Sequence, residues 1–404
     1  MNDSTWEWRL RALTDLWTGD AEGKAQRTIP TGLLGSIRWW FEVLIRGLGG
    51  AACDPSFEDR RNHPKSSRCP DPAVKQPMDQ GHHCVVCELF GCTGWGRKFR
   101  FEVRDGSGAV MGGQIKKGTE FILRFTPLRP IAAEEWALLD LTIRLIADYG
   151  AIGGKTVYKP SDELALADAS LSDFDDNLIL HQQVPRSPLS RNDKIVRIDQ
   201  QDIRTKEDLE AALRSYPAGH RVIVQVRRSS NQQTIEAWAG KRHHQDYGLI
   251  QVKQHPEGAA LPAEALRDYV QGRQWRKVDD NDFAWASLAN FWCVDGKHLA
   301  RQNANQSTFN KVIGRPEPKG RAAIGDSWLA GQRPDRRRNL DAASKKVFSF
   351  KDPRRTFGFV NPGVVTFDQM KRRLAQAWGS LGPSDFVAGD VILTRLTTHG
   401  GATP

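Results

Sequence analysis

The sequence predicts an α+β protein of two tandem domains, the first spanning residues 1–165 and the second residues 166–404. The 404-residue length supports this division, because folded domains typically contain about 100–200 residues. Several short segments alternate apolar and polar side chains as half-buried strands do, and long amphipathic segments lie between them. The composition, with 39% apolar and 26% charged residues, is that of a folded chain rather than a disordered one.

The first elements of the chain are a strand and a long helix. Residues Trp6–Trp17 alternate enough to form a strand, and a glycine- and threonine-rich loop follows as far as Thr31. A helix is predicted to begin near Gly35 or Ser36. Its apolar side chains recur at intervals of three and four residues and form one continuous stripe. The stripe consists of Ile37, Trp40, Phe41, Leu44, Ile45 and Leu48.

The next segments add an insertion, two strands and a second helix. Residues 51–92 are rich in Pro, Cys and His and interrupt the pattern, which indicates an insertion. Strands are predicted at Phe99–Val103 and Phe121–Phe125, followed by a helix over Ala133–Tyr149 and a glycine-rich segment. The order strand, helix, strand, strand, helix is that of the ferredoxin-like βαββαβ unit.

The second half predicts a further α+β domain with long insertions. A strand covers Val222–Val226, another is predicted within Phe283–Val294, and a final strand covers Phe386–Leu393. The clearest late element is a helix beginning after Thr366, because Thr366 and Gln369 have the spacing of a capping box.

The net charge of +10 and the pI near 9.4 favour an anionic partner such as nucleic acid. The alternative is a generic basic protein. The polar N-terminus does not resemble a secretory signal, and Arg38, Glu42 and Arg46 interrupt the most apolar stretch. The six cysteines then fit a reducing compartment, so we expect a cytoplasmic protein that does not associate with membranes.

The closely spaced cysteines predict a structural zinc site. Cys84 and Cys87 form a C-x2-C pair, and Cys92 and Cys53 are the remaining predicted ligands. Whether Cys69 or a histidine replaces one of these four is left open. No hydrolytic or deaminase zinc motif surrounds the cysteines. The alternative is a set of free, partly buried thiols.

Two glycine-containing segments could bind a phosphate chain. Arg38 and Trp39 lie near the start of the first helix, where free N–H groups and the helix dipole favour anions. The alternative is an amphipathic helix whose arginine extends to solvent. In the segment Gly150–Lys159, Gly153 and Gly154 permit close backbone approach, although the Walker pattern is absent. A plain turn with solvated lysines is the alternative there.

Four segments resemble the RAMP superfamily, and more closely the first subunits of type III-B CRISPR effector (Cmr) complexes. These segments are LWTGDA (16–21), TGLLGSIRWWFE (31–42), CELFGCTGWGRKFRF (87–101) and YGAIGGKTVYKP (149–160). The resemblance implies two tandem ferredoxin-like, RRM-related RAMP domains. It also implies a subunit that lies at the 3′ end of the guide RNA and helps to capture complementary target RNA in antiviral defence. The implied partners are guide RNA, target RNA and the other effector subunits.

The sequence therefore predicts a non-catalytic, RNA-binding subunit rather than an enzyme. One alternative is a RAMP-type endoribonuclease that processes guide RNA or cuts target RNA, and another is a purely structural subunit with basic surfaces facing acidic proteins. Arg354 and Arg355, close to Phe357, add the best aromatic and basic combination of the second half. The predicted RNA-binding residues are Arg38, Trp39, Arg46, Arg97, Lys98, Gly153, Gly154, Lys155, Lys159, Arg354 and Arg355.

Overall fold

The computed structural model describes residues 5–19, 27–53, 68–156, 174–181, 189–215, 220–239, 246–258, 260–278, 283–299, 308–314, 327–331 and 343–398. The fold is α+β, as predicted. Its described strands form three antiparallel sheets of four strands each.

Strands and helices are numbered in chain order across the described residues. The strands are β1 (Trp6–Ala12), β2 (Phe99–Asp105), β3 (Glu120–Pro127), β4 (Lys194–Ile198), β5 (Gln201–Asp202), β6 (His220–Arg228), β7 (Asn231–Ala239), β8 (Ile250–Gln254), β9 (Phe291–Asp295), β10 (Val347–Lys351), β11 (Arg354–Phe359) and β12 (Phe386–Ala388). The helices are α1 (Pro30–Gly47), α2 (Val85–Phe90), α3 (Ala133–Tyr149), α4 (Lys206–Ser215), α5 (Ala263–Val270), α6 (Thr308–Val312), α7 (Ser327–Ala330), α8 (Phe367–Trp378) and α9 (Gly389–Thr398).

The first sheet has the strand order β2-β3-β1-β8. Its inward-facing residues on β1 alternate, with Trp8, Leu10 and Ala12 buried, as expected for a strand covered on one face. The predicted apolar stripe of α1 is buried along its whole length in the same core. Helix α3 belongs to this core as well, and it contacts both α1 and β8.

The fourth strand of the first sheet comes much later in the chain than predicted. Strand β8 pairs with β1, although one hundred residues separate it from the end of α3. The first sheet therefore extends past the predicted domain boundary between residues 165 and 166. Periodicity alone did not reveal that β8 belongs to the first sheet, because the segment between α3 and β8 has a sheet of its own.

The intervening sheet has the order β5-β4-β6-β7 and a separate hydrophobic core. Val222, Val224 and Val226 of β6 point into that core, as their alternation predicted. Helix α4 contributes Leu209 and Ala212 to it. In sequence this unit is an insertion between α3 and β8.

The third sheet has the order β10-β11-β9-β12, and helix α8 packs in its core cluster. The predicted capping box is confirmed, because Thr366 accepts from the Gln369 backbone N–H and Gln369 accepts from that of Thr366. The predicted last strand is wrong after Ala388. The chain turns into α9 there, where Ile392, Leu393 and Leu396 are buried at helical spacing.

Helix α1 begins at Pro30, a turn or more before the predicted start. Proline is favoured in the first helical turn because its missing N–H would have no partner there. Strand β1 ends at Ala12, so Trp17 lies in irregular backbone rather than in the strand.

No helix within the described part of the chain has the length and apolarity needed to cross a bilayer.

Candidate metal centre and nucleic-acid interface

Four cysteine side chains converge beside helix α1. The sulfur atoms of Cys53, Cys69, Cys84 and Cys87 all lie within 4.8 Å of one another, and all four residues are buried. Cys84 caps the N-terminus of α2 and Cys87 lies within it, so one short helix positions the C-x2-C pair. We call these four residues the cysteine centre.

The cysteines of the centre are free thiols and form no disulfide. The Sγ atoms of Cys53 and Cys87 are 3.5 Å apart, whereas a disulfide bond is about 2.05 Å long. A tetrahedral metal with bonds of about 2.3 Å to sulfur would separate its ligands by roughly 3.8 Å. The four buried thiols therefore fit a structural zinc ion.

Cys92, one of the four predicted ligands, lies outside the cysteine centre, and Cys69 takes its place. The backbone of Cys92 pairs with Trp95 in a tight turn just after α2, which leaves its side chain only half-buried. Cys69 is brought in by a loop that closes where the Asp71 backbone N–H donates to the His82 carbonyl at 2.8 Å. No histidine of the described residues belongs to the group of four.

A buried chain of charged groups lies next to the cysteine centre. The ring Nε2 of His83 lies 2.6 Å from Glu88, and Lys98 lies 2.5 Å from the other oxygen of the same carboxylate. Lys98 also contacts both oxygens of Glu135 at 2.9 Å. Burial of Glu135 raises the pKa of its carboxyl group, and the charge of Lys98 opposes that rise. Lys98 is thus a buried partner of two carboxylates.

On another side of α1 an open cavity of about 540 Å³ is walled mainly by aromatic rings. We call it the aromatic cleft. Helix α1 and the segments before it meet the glycine loop and the third sheet here. Its lining residues are Trp17, Thr18, Gly19, Gly32, Ser36, Trp39, Trp40, Ala151, Gly153, Gly154, Thr156, Phe283, Trp285, Ser344, Lys345, Phe348 and Phe357.

Helix α1 holds the glycine loop against the cleft. Ser36 accepts a hydrogen bond from the Gly153 backbone N–H at 3.0 Å, and the Trp40 indole donates to the Ala151 carbonyl at 2.8 Å. Gly153 has a φ of +84°, and a Cβ there would lie 2.8 Å from the Trp17 carbonyl oxygen. A Cβ on Gly154 would overlap the Trp17 ring. Only glycines allow this loop to lie so close to Trp17.

Residues 9–158 match the model of the RAMP superfamily. Over this region the chain is similar to the RAMP superfamily. The predicted RAMP relationship is confirmed, and the matched RAMP region includes the cysteine centre, α1 and the glycine loop.

The solved structures that are similar to the chain include two at low identity. One is the crystal structure of Cmr1 from Pyrococcus furiosus in its apo form, with 11% identity, 67% of this chain and 97% of that chain covered, and a TM-score of 0.23. The other is the Csm3–Csm4 subcomplex of the type III-A CRISPR-Cas interference complex, with 16% identity, 37% and 69% covered, and a TM-score of 0.19. No residue role is transferred from either. No curated protein sequence matches the chain significantly.

Arg38 and Trp39 of α1, which were both predicted to bind RNA, face different features of the structure. Arg38 faces the cysteine centre, where its guanidinium donates to Cys87 Sγ at 3.3 Å and to the Gly91 carbonyl at 3.0 Å. Trp39 lines the aromatic cleft and packs edge-on against Trp40 and Phe359. The predicted pair is therefore split between the two features.

Three other predicted cations are engaged inside the protein. Arg46 donates to the Ala286 and Ala52 carbonyls at 3.1 and 3.4 Å. Arg355 is buried and donates to the carbonyls of Ala147 and Gly150 at the end of α3, at 2.8 and 3.2 Å. Lys98 is the third, paired with the carboxylates of Glu88 and Glu135. Arg355 satisfies carbonyls at a helix C-terminus that have no partner within the helix. Through these internal contacts Arg46, Lys98 and Arg355 stabilise the fold.

The remaining predicted residues are on the surface or outside the described chain. Arg97 and Arg354 are exposed, and the exposed Lys155 places its amine 4.6 Å from the Trp17 ring centre. Gly153 and Gly154 line the cleft. Lys159 lies outside the described residues. The structure therefore gathers Trp39, Gly153, Gly154 and Lys155 around one cavity.

Several cleft residues were missed by the sequence prediction. Trp17 was assigned to a strand, and Trp285 and Phe348 come from the third sheet region, far away in sequence. The buried Lys346 does not itself line the cleft, but its amine lies 4.3 Å from the centre of the Trp285 ring, which does. Burial lowers the pKa of Lys346 to about 8. The high tryptophan content was the one available signal, and it does not say which rings share a cavity.

Proposed function

We propose that this chain is a non-catalytic RNA-binding subunit of a type III-B CRISPR ribonucleoprotein. The match of residues 9–158 to the RAMP superfamily model and the four motifs that resemble the first Cmr subunit support the proposal. In this role the protein lies at the 3′ end of the guide RNA and helps to capture complementary target RNA. The other effector subunits are its protein partners.

The aromatic cleft is the observation that carries the RNA-binding proposal. Single-stranded RNA is bound by exposed aromatic rings that stack on bases and by cations that neutralise the backbone. Trp17, Trp39, Trp285 and Phe348 are half-buried rings on its walls, and the amine of Lys155 lies at one of them. The walls are contributed by both the first and the third sheet regions, so an RNA strand there would contact both.

The strand orders support two ferredoxin-like RAMP domains. In the first sheet the strands β1, β2, β3 and β8 are arranged as second, third, first and fourth. In the third sheet β9, β10, β11 and β12 have the same arrangement, with α8 between the third and fourth strands. We assign each to a βαββαβ unit, the first interrupted by the middle sheet.

The chemistry of the cleft favours binding over catalysis. Its described lining consists of aromatic, small and hydroxyl residues and one lysine, and it contains no histidine or carboxylate. General acid–base cleavage of RNA uses such groups within hydrogen-bonding distance of the reacting atoms. The proposal therefore assigns RNA cutting to another subunit.

A structural zinc ion completes the proposed role. Bound to the cysteine centre, zinc would fix the insertion after α1 without taking part in RNA chemistry. The side chains that would hold it are the four buried cysteines. The ion would cross-link the segments that carry the four cysteines.

The test is binding of the full-length protein to labelled single-stranded RNA over a range of salt concentrations. We expect affinity to fall steeply as salt rises, because phosphate contacts release counterions. Lys155→Ala should reduce the salt slope by about one phosphate contact. The control Lys371→Ala changes an exposed lysine that does not line the cleft, and it should leave the slope unchanged.

The same measurement is repeated on the assembled effector complex purified from its host. Absent or salt-insensitive RNA binding, both alone and in the complex, would contradict the proposal. Discrete RNA cleavage by the purified chain that is lost on changing one His or Asp would favour the endoribonuclease alternative instead.

A further inference from the structure

The cysteine centre draws its ligands from three separate stretches of chain. Cys53 follows α1, Cys69 lies in a loop, and Cys84 and Cys87 belong to the start of α2. All four are at most 2% exposed, and the Cys84 backbone N–H donates a hydrogen bond to Cys69 Sγ at 3.3 Å. Four soft sulfur ligands at this separation suit zinc, or iron in an iron–sulfur site.

A zinc ion bound by four thiolates carries a net charge of minus two. Such a charge is costly to bury unless cations and hydrogen-bond donors surround it. Two arginines from outside residues 51–92 are in place for this. Arg38 Nη2 donates to Cys87 Sγ at 3.3 Å, and Arg276 Nη1 lies 3.9 Å from Cys69 Sγ.

Both arginines are fixed by further contacts. Arg38 is also hydrogen-bonded to Glu42 one turn along α1, at 3.1 Å. Arg276 is paired with Asp71 at 3.3 Å and donates to the Arg68 carbonyl at 2.5 Å. Groups that orient metal ligands in this way typically change metal affinity by about 10- to 100-fold when they are removed.

We infer that Cys53, Cys69, Cys84 and Cys87 form a four-thiolate zinc site whose charge is balanced by Arg38 and Arg276. The site joins α1, the cysteine-rich insertion and the segment after α5 into one unit. Arg38 is a positioning residue of this site, and its guanidinium is directed at sulfur rather than at an RNA phosphate. The inference concerns a site separate from the aromatic cleft, so it can fail while RNA binding stands.

The ligand set is tested first on the unaltered protein by X-ray absorption at the zinc edge. We expect four sulfur ligands at about 2.3 Å and no nitrogen ligand. A mixed sulfur and nitrogen shell would overturn the ligand set. Purified protein that contains iron instead of zinc, or no stoichiometric metal, would overturn the assignment of the metal.

A pair of variants then distinguishes the fourth ligand. Cys69→Ser should lose stoichiometric zinc, whereas Cys92→Ser should retain one zinc per chain because Cys92 lies outside the group of four. The reverse result would show that Cys92 is the ligand. Because the outcome is metal content, it does not depend on RNA binding.

The arginine partners are tested by zinc competition with a chromophoric chelator. Arg38→Ala and Arg276→Ala should each weaken zinc binding by about 10- to 100-fold, and Arg38→Lys should restore part of the loss. The matched control is Arg97→Ala, which removes an exposed arginine that makes no contact with a sulfur of the cysteine centre in the described structure. Wild-type zinc affinity in both arginine variants would overturn the charge-balancing role.

Discussion

The cysteine centre and the aromatic cleft lie on different sides of the same helix, and they differ in how far their side chains are buried and paired. At the cysteine centre the neighbouring charges are already matched: Arg38 with Glu42 and sulfur, and Lys98 with Glu88 and Glu135. At the cleft large rings remain half-buried around an open volume. Matched, buried charge indicates a structural role, whereas open aromatic walls indicate a ligand site.

The largest effect that separates the two regions should come from metal removal. A chelator should lower the melting temperature of the full-length protein substantially, because binding energy at a structural zinc site is also folding energy. Adding zinc back should restore it. A melting curve that does not change with the chelator would contradict the structural role of the cysteine centre, since the centre would then not stabilise the fold.

The next effect is expected from the buried lysine. Lys98→Met leaves the buried carboxylate of Glu135 without its cation and removes the lysine partner of Glu88, and it should reduce the free energy of unfolding by about 3–5 kcal/mol. The matched control, Arg97→Met, alters an exposed neighbour and should cost no more than about 0.5 kcal/mol. Denaturant unfolding measures both, and equal stabilities would mean that Lys98 is not a structural cation.

A substitution in the aromatic cleft should affect RNA binding rather than stability. Phe348→Ala removes one half-buried ring from the wall and should weaken RNA binding by roughly 5- to 150-fold, the range for loss of a base–aromatic stack. The control Phe367→Ala changes a half-buried ring that does not line the cleft. Fluorescence anisotropy gives both affinities. Equal losses in the two variants would remove the distinction between cleft and scaffold.

The smallest effect concerns the pH dependence of stability at Lys346, a buried lysine that contacts the cleft residue Trp285. Burial lowers the pKa of Lys346 to about 8 from its ordinary 10.5, so between these values the unfolded chain binds more protons at this residue than the folded one does. Stability due to this residue therefore rises with pH in that window, by about 1 kcal/mol from pH 8 to pH 9. The difference in unfolding free energy between wild type and Lys346→Met should follow this rise. A constant difference would contradict the lowered pKa.

Local patterns predicted much of the scaffold. The stripe on α1 and the capping box of α8 follow from helical spacing and from the Thr366 and Gln369 side chains, and both are found in the structure. Strand β8 was not placed because pairing over a long separation leaves no local mark on either strand. The start of α9 was missed because a short apolar run fits a strand or a helix equally well.

The site was predicted less completely, for a related reason. Three of the four residues of the cysteine centre were identified from their spacing, but Cys69 joins them only through a loop closed in three dimensions. Arg38, Lys98 and Arg355 were grouped with the surface cations because the sequence does not distinguish a buried, paired charge from a solvated one. Trp39, Gly153, Gly154 and Lys155 were named from sequence and do share one cavity region.

The most direct test of RNA binding at the aromatic cleft is photochemical cross-linking of RNA to this chain in the assembled effector complex, with the adducts mapped by mass spectrometry. We expect adducts on cleft residues such as Trp17, Trp39 and Phe348, and none on Cys69, Cys84 or Cys87 of the cysteine centre. Cross-links to neighbouring proteins alone, with no RNA adduct at the cleft, would contradict the proposal.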